Sequence, residues 1–243
     1  MFFFKKKSPK LTDLSWLKTD IHSHLIPGID DGSPDMATSL ALIKDLAALG
    51  YKKIITTPHI NWEVYPNTPE IITAGLGELQ EAVAAEGIDV EIGAAAEYYI
   101  DEHFGELLRQ KAPLLTLKDN LLLVEFSFMS APLDLQDVLF DLQMLNYQPV
   151  IAHPERYLYL ERRRDFYEML KHAGCYFQLN LLSLTGYYGR GVQELAAYLL
   201  KQGYYNFAGT DLHHDRHIAA LKKLEASPLY GELKEAGLMN PGL

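Results

Sequence analysis

Residues 20–33, Asp-Ile-His-Ser-His-Leu-Ile-Pro-Gly-Ile-Asp-Asp-Gly-Ser, indicate both the fold and the chemistry of this chain. Side chains two residues apart share a face of an extended strand, so Asp20, His22 and His24 are expected to point the same way. Two neutral imidazoles at this spacing can bind one metal ion, and Asp20 is placed to orient one of them from a second shell. The following turn adds two more oxygen donors, Asp30 and Asp31. The segment therefore predicts a metal site at the end of a strand.

Composition and charge limit the class of protein. The chain has 243 residues, a usual length for an α/β barrel, and 48% of them are hydrophobic, enough for a sizeable core. Its formal net charge of −10 argues against broad nucleic-acid binding. No apolar run reaches the roughly 20 residues of a membrane span, and the first residues do not resemble a signal peptide. A single cysteine, Cys175, excludes an internal disulfide and predicts a cytoplasmic protein. The sequence does not decide between a monomer and an oligomer.

Strand-like and helix-like segments alternate along the chain. Alternation of this kind predicts parallel strands joined by crossover helices, in one domain over residues 1–243. We expect residues 1–16 to be an N-terminal extension whose Phe2, Phe3, Phe4 and Trp16 pack on the body. The predicted strands are residues 18–22, 53–57, 88–94, 120–124, 149–152, 175–179 and 205–208. The predicted helices are residues 33–49, with Ser33 as N-cap, 69–86, 101–111, 133–146, 162–173, 191–202 and about 219–225.

The polar residues choose between an open sheet and a closed barrel. No glycine-rich phosphate fingerprint follows the first strand, which weakens the open, nucleotide-binding alternative. Nearly every predicted strand ends in a histidine or a carboxylate, and in a barrel all such ends meet around one mouth. The sequence thus favours a barrel. The strand-end residues are His22, His24, Asp31, His59, Glu97, Glu125, His153, Asp211 and His213.

Five imidazoles and four carboxylates are too many ligands for one tetrahedral zinc ion. They suit two or three clustered ions with bridging carboxylates. Without a thiolate, the set favours zinc, manganese or iron. Three divalent ions would bring six positive charges against four carboxylates, and the surplus of two would meet a phosphate dianion. This balance allows a net-acidic protein to handle an anionic substrate.

The motifs resemble those of the polymerase and histidinol phosphatase (PHP) superfamily. The resemblance rests on residues 20–24, Pro58-His59, Glu97, Glu125, residues 153–156 (His-Pro-Glu-Arg) and residues 210–213 (Thr-Asp-Leu-His). Residues 25–32 and the box from His153 to Tyr157 resemble the bacterial capsule and exopolysaccharide tyrosine phosphatases of the CpsB/YwqE type. The match runs from about residue 18 to residue 217. Thr210, Leu212 and residues 180–186 depart from the usual pattern, which puts the substrate side of the site in question.

This resemblance implies a distorted (β/α)7 TIM-like barrel of the PHP type, with three divalent ions. Manganese is the first expectation, and iron and zinc are alternatives. By motif, one ion would be held by His22, His24, Glu97 and Asp211. A second would share Glu97 with Glu125 and His153, and the third would be held by Asp31, His59 and His213.

The implied activity is that of a metal-dependent protein-tyrosine phosphatase, a phosphoric monoester hydrolase. A metal-bridging hydroxide would attack phosphorus in line, because bound ions lower the pKa of water. By resemblance, the substrate would be the tyrosine-rich tail of a kinase that assembles exopolysaccharide. Two alternatives stay open. One is a small-molecule phosphatase such as histidinol phosphatase, and the other is a non-catalytic metal-binding adaptor.

Four further side chains are candidates for contact with the substrate. Arg156 suits phosphate oxygens, and its alternative role is a salt bridge with Glu155 or Glu161. Arg216 is a second catalytic candidate. Tyr187 and Tyr188 lie between glycines and could form a lid over an aromatic substrate, or could pack on their own protein. Cys175 has no activating neighbour in the sequence, so we expect it to fill the core.

Overall fold

The computed structural model describes residues 12–243, and over this range every paired strand is parallel. The strands form two sheets, in the orders β1-β2-β4 and β3-β5-β6-β7-β8-β9. The protein is therefore an α/β fold built on curled parallel sheets. The strands are β1 (Thr19–Asp20), β2 (Lys53–Thr56), β3 (His59–Ile60), β4 (Glu91–Ala94), β5 (Glu97–Tyr99), β6 (Leu121–Glu125), β7 (Gln148–Ala152), β8 (Tyr176–Asn180) and β9 (Phe207–Gly209).

Helices follow most of the strands, as the alternation in the sequence predicts. Over residues 12–243 the α-helices are α1 (Met36–Ala48), α2 (Pro69–Ala85), α3 (Glu102–Arg109), α4 (Leu135–Met144), α5 (Arg164–His172), α6 (Arg190–Lys201), α7 (Asp215–Leu221) and α8 (Tyr230–Glu235). None of these helices combines the length and the apolar content needed to cross a bilayer. The sequence did not predict α8, which lies in what was expected to be a tail.

The N-cap of α1 differs from the expectation. Asp35 caps this helix and accepts a hydrogen bond from the Thr38 amide at 2.8 Å, so the helix begins at Met36 rather than at residue 33. Ser33 is buried, and its hydroxyl lies 2.9 Å from that of Ser39. Both Ser and Asp are good N-caps, so the sequence alone did not distinguish them.

Two interrupted strands bring candidate ligands side by side. The chain leaves β2, passes through Thr57 and Pro58, and resumes as β3; β4 and β5 are separated in the same way by residues 95–96. The register pairs His59 with Glu97 across β3 and β5. The sequence pattern predicts neither β3 nor β5, which are only two and three residues long.

The first and last strand regions also meet. A parallel bridge pairs Ser23 with Leu212, and the His24 amide donates to the carbonyl of Leu212 at 2.9 Å. The Asp211 amide donates to the carbonyl of His22 at 2.7 Å. The two ends of the strand series thus place their candidate ligands next to one another.

The core has two parts. Alternate strand residues, among them Leu123 and Val150, form a small buried cluster separate from the large cluster between strands and helices. Because strand side chains alternate with a period of two, Glu125 shares the face of Leu123. Trp16 packs on the large cluster as expected, and Leu14 is fully buried. The expectation for Phe2, Phe3 and Phe4 lies outside the described residues.

Candidate metal centre

All nine candidate ligands predicted from the sequence lie together in the structure. They form four overlapping groups, and within each group the donor atoms lie within 4.8 Å of one another. The groups are His24, Asp31, His59 and His213; His22, His24 and Asp211; His22, Glu97 and His153; and His59, Glu97 and Glu125.

Glu97 is at the centre of this constellation. Its Oε2 lies 3.2 Å from His22 Nε2 and 3.1 Å from His59 Nδ1, and its Oε1 lies 3.3 Å from His153 Nε2. Both oxygens are buried, yet neither has a hydrogen-bond partner in the part of the chain that the structure describes. A buried carboxylate without hydrogen bonds is costly unless it binds a metal ion. Glu97 therefore fits a bridging ligand.

The spacing of the donors fits metal coordination. Bonds of about 2.0–2.2 Å place neighbouring ligand atoms about 3.0–3.5 Å apart on a tetrahedron or octahedron. His22 Nε2 and Asp211 Oδ1 are 3.3 Å apart, and His24 Nε2 and Asp211 Oδ1 are 3.4 Å apart. In a neighbouring group, Asp31 Oδ1 lies 3.5 Å from His59 Nε2 and 3.4 Å from His213 Nε2. These residues could hold divalent ions without a large rearrangement.

The imidazoles are oriented by their second nitrogens. His24 Nδ1 lies 2.7 Å from Asp30 Oδ2, and His22 Nδ1 lies 2.9 Å from Gln178 Oε1. Because each oxygen can only accept, both rings carry a proton on Nδ1, and Nε2 is the nitrogen that faces the centre. Asp30 and Gln178 thus take the supporting role that the sequence analysis gave to Asp20.

Asp20 has a different partner from the expected one. Its carboxylate accepts hydrogen bonds from the Thr210 amide at 2.9 Å and the Thr210 hydroxyl at 2.6 Å, not from a histidine ring. Burial raises the pKa of Asp20 to about 6, although the bonds from Thr210 oppose this shift. Thr210, a departure from the family pattern, therefore joins the first strand to the last.

The pKa values of two neighbouring carboxylates, Glu97 and Glu125, are shifted in opposite directions. Burial opposes ionisation of Glu97, but His22 and His59 hold its pKa well below the usual range. Burial and the charge of Glu97 raise the pKa of Glu125 well above its usual range. Two buried carboxylates cannot both ionise without nearby positive charge. Divalent cations between them would supply that charge and allow both to act as ligands.

Two of the candidate ligands have unusual backbone conformations. His153 has φ of +31° and Asp211 has φ of +50°, both in the left-handed region. Such conformations cost about 1–3 kcal/mol each in a non-glycine residue and concentrate at functional sites. The His153 amide is held by Gln178 Oε1 at 3.2 Å. The chain thus accepts strain where it turns these two side chains toward the centre.

Arg156 lines the cavity over the centre, which has a volume of about 390 Å³. Its Nη1 donates to Asp211 Oδ2 at 2.8 Å. Its guanidinium carbon lies 4.7 Å from the centroid of the Phe128 ring and 4.3 Å from that of Tyr188. The alternative salt bridge with Glu155 does not form. The Glu155 carboxylate instead accepts from the Asn180 amide and from two hydroxyls, those of Ser183 and Tyr205.

The other predicted substrate contacts lie in different places. Tyr188 lines the cavity, and its hydroxyl accepts from Asn180 Nδ2 at 3.2 Å. Tyr187 is 40% exposed and contacts the edges of Tyr188 and His217, but it does not line the cavity. Arg216 is exposed on α7 and also lies outside the lining. The structure thus brings Arg156 and Tyr188 to the site, but not Arg216 or Tyr187.

Sequence reasoning missed the aromatic wall of the cavity. Tyr65, Tyr99 and Phe128 join Tyr188 around it, and the Tyr65 ring stacks on His59 with 5.6 Å between centroids. No local pattern marks these rings, because Tyr65 and Phe128 come from two separate loops and Tyr99 ends the short strand β5. Gln178 had a signal, since it alternates with Asn180 at the end of a buried strand.

The family model that matches the chain is described as "Capsular polysaccharide synthesis, CpsB/CapC" and covers residues 18–225. Tyrosine-protein phosphatase YwqE of Bacillus subtilis (strain 168) is 31% identical over 198 residues, which are 80% of this chain and 77% of that protein. Tyrosine-protein phosphatase CpsB of Streptococcus pneumoniae is 29% identical over 202 residues, 80% of this chain and 82% of that protein.

A comparison with solved structures finds the same relatives. Crystal structures of YwqE from Bacillus subtilis and CpsB from Streptococcus pneumoniae are described as "unique metal-dependent tyrosine phosphatases". A chain from that work superposes with a TM-score of 0.79 at 28% identity, covering 89% of this chain and 90% of that one. The lactonase Lmo2620 from Listeria monocytogenes has a TM-score of 0.56 at 12% identity, over 92% of this chain and 89% of that one. This second likeness is one of fold alone.

Proposed function

The chain belongs to the CpsB/CapC family of capsular polysaccharide synthesis, and we propose that it is a metal-dependent protein-tyrosine phosphatase. The observation that carries this proposal is the position of Glu97, buried without hydrogen bonds among imidazoles at coordination spacing. Its relatives YwqE and CpsB are metal-dependent tyrosine phosphatases by name. The chain is accordingly a phosphoric monoester hydrolase.

We assign three divalent ions to the centre, with manganese as the first candidate. His22, His24, Glu97 and Asp211 would hold one, and Asp31, His59 and His213 another. Glu97 would bridge to the ion that Glu125 and His153 complete. Bound ions lower the pKa of coordinated water and so supply a nucleophile near neutral pH. The donor groups support this assignment for His22, His24 and Asp211 and for Asp31, His59 and His213, which His24 joins. Glu97 groups with Glu125 and His59 and, separately, with His153 and His22, as a carboxylate shared between ions would.

The side chains of the protein have three tasks in this reaction. Arg156 binds a phosphoryl oxygen and stabilises the charge that develops there. Asp30 and Gln178 keep His24 and His22 in the tautomer that leaves Nε2 free. The rings of Tyr65, Phe128 and Tyr188 enclose the leaving phenol. Phenolate, with a pKa of about 10, leaves without strong need for an acid.

We also infer the finer architecture and the setting. If β2 with β3 and β4 with β5 each count as one interrupted strand, the chain has seven strand–helix units of a single distorted (β/α)7 barrel domain. The Ser23–Leu212 bridge supports closure. The buried, free thiol of Cys175 supports a cytoplasmic location. We propose the tail of a tyrosine kinase of exopolysaccharide assembly as the natural substrate.

Comparison of substrates tests this function directly. After loading with manganese, the protein is expected to hydrolyse a phosphotyrosine peptide much faster than histidinol phosphate, and chelator should abolish the reaction. Cys175→Ser should retain full activity, because Cys175 is buried and its pKa is raised to about 12 by burial. Faster turnover of histidinol phosphate would favour the small-molecule alternative. Metal binding without any turnover would favour the adaptor.

Arg156→Ala is expected to lower kcat/KM about ten- to a hundredfold. The change removes a charge-assisted contact worth roughly 1.5–3 kcal/mol. Metal content should stay near that of the wild type, because Asn180 Nδ2 still donates to Asp211 Oδ2 at 2.8 Å. Steady-state kinetics and elemental analysis measure both. The matched control is Arg163→Ala, which breaks only an exposed ion pair with Asp165 and should change neither. If Arg156→Ala had the kinetics of the wild type, Arg156 would not contact the substrate.

A further inference from the structure

The loop between β6 and α4, residues 126–134, carries an unusual concentration of exposed apolar side chains; we call it the rim loop. Leu133 is fully exposed, Met129 is 86% exposed and Phe128 is 46% exposed. Among the large apolar side chains in residues 12–243, Leu133 and Met129 are the two most exposed. Apolar groups gathered at one place on a surface mark an interaction site more often than scattered ones do.

The rim loop separates the metal cavity from a second concavity. Phe128 lines the metal cavity, whereas Pro132 and Leu133 line a groove of about 750 Å³ between α3 and α4. The end of β5 does the same, since Tyr99, its last residue, lines the cavity and the next residue, Ile100, lines the groove. Cavity and groove therefore border the same two segments of the chain. A polypeptide with one side chain in the cavity can continue into the groove.

The groove combines apolar and acidic lining. Asp137 and Asp141 lie on one face of α4, at the spacing that brings helix residues together, and Asp134 precedes the helix as its N-cap residue. None of these three carboxylates forms a hydrogen bond or ion pair with another described residue. Arg109 is the basic side chain in this lining, and its Nη2 already lies 2.8 Å from Glu106. The groove thus offers negative charge beside the apolar surface of Leu108 and Leu133.

We propose that this groove binds the polypeptide of the substrate next to the phosphotyrosine, and that it favours segments carrying lysine or arginine. These side chains place an aliphatic stem on apolar surface and a charged end near carboxylates, so they match the lining. The proposal rests on the proposed function, which places the phosphotyrosine in the metal cavity. A groove of this kind would favour protein substrates over small molecules, because only a polypeptide extends from the cavity to the groove.

Two peptides containing phosphonomethyl-phenylalanine, which mimics phosphotyrosine and is not hydrolysed, provide the test. They differ only in flanking residues, lysine in one and glutamate in the other. We expect the metal-loaded protein to bind the lysine peptide about tenfold more tightly at low ionic strength, by fluorescence anisotropy. The preference should shrink in high salt, because the groove is exposed.

Asp137→Lys places a positive charge inside the groove and should reduce the preference to within about twofold or reverse it. Glu81→Lys is the matched control, because Glu81 is an exposed residue of α2 outside the groove. The control should keep the wild-type preference. Leu133→Ser should weaken both peptides about threefold to fivefold and leave their ratio unchanged.

Three results would overturn the proposal. They are equal affinity of the wild type for both peptides, no binding of the lysine peptide, and an unchanged preference in Asp137→Lys. Turnover of p-nitrophenyl phosphate reports separately on the proposed function. This compound is too short to extend from the cavity into the groove, so the groove does not affect its turnover. Turnover without peptide preference would refute only the groove. Preference without turnover would refute only the phosphatase.

Discussion

Glu97→Gln is expected to remove most of the bound metal and to lower kcat/KM about a thousandfold or more. The amide has nearly the shape of the carboxylate but lacks its charge, and it offers one acceptor oxygen instead of two. Both carboxylate oxygens are needed, because Oε2 faces His22 and His59 while Oε1 faces His153. Loss of several kcal/mol of transition-state stabilisation corresponds to at least this factor.

Elemental analysis per chain, together with kinetics on p-nitrophenyl phosphate, measures the effect. We expect two to three ions in the wild type and at most one in Glu97→Gln. Glu81→Gln serves as the control, since it neutralises an exposed carboxylate on α2. Circular dichroism should show that both variants keep their fold. A Glu97→Gln protein with full metal content and normal turnover would refute the bridging role, and at most one ion in the wild type would refute the trinuclear centre.

Gly209→Ala is expected to disrupt the same centre without changing any candidate ligand. A Cβ at residue 209 would lie 2.6 Å from the Cβ of His22 and 2.9 Å from Nε2 of Gln178, distances that real Cβ contacts do not show. His22 and the glutamine that orients it would both have to move. We expect a loss of about 1–3 kcal/mol in the free energy of unfolding, as for other overpacked sites. The accompanying fall in kcat/KM should be at least about a hundredfold, because small displacements of catalytic groups cost this much.

Gly93→Ala is the matched control for this glycine. It also lies in a strand, β4, but a Cβ there would meet nothing within 4 Å. Thermal unfolding, metal content and kinetics should therefore stay near those of the wild type in Gly93→Ala. If Gly209→Ala behaved in the same way, the close approach of residue 209 to His22 would not matter for the site.

The sequence predicted the candidate metal ligands better than it predicted their supports, the side chains that hold those ligands in position. Glu125 ends an apolar run, and His22 and His59 lie at or just after the end of a strand-like segment, positions that are recognisable without coordinates. All nine candidates do lie together in the structure. Parallel strands explain this success, because their carboxyl ends meet at one edge whatever the helices between them do.

The supports could not be predicted because they depend on distant parts of the chain. Gln178 reaches His22 from a strand 156 residues away. The pairing of Arg156 with Asp211 likewise spans 55 residues. Asp20 fits a histidine partner by spacing alone, but the structure gives it Thr210 instead. Strands β3 and β5 escaped notice because a run of two or three residues carries no measurable periodicity.

The meeting of the first and last strands has a consequence for biosynthesis. Asp20 and Thr210 are 190 residues apart in sequence, and one proposed ion would draw ligands from both ends of this interval. Contacts of such long range form late in folding, because the chain loses the conformational entropy of closing a large loop before these contacts can stabilise it. A ribosome-bound chain that lacks residues 209–213 cannot complete the centre, so we expect metal uptake to follow synthesis of nearly the whole protein. Loading with metal would then act as a final quality check, separating completely closed molecules from partly folded ones.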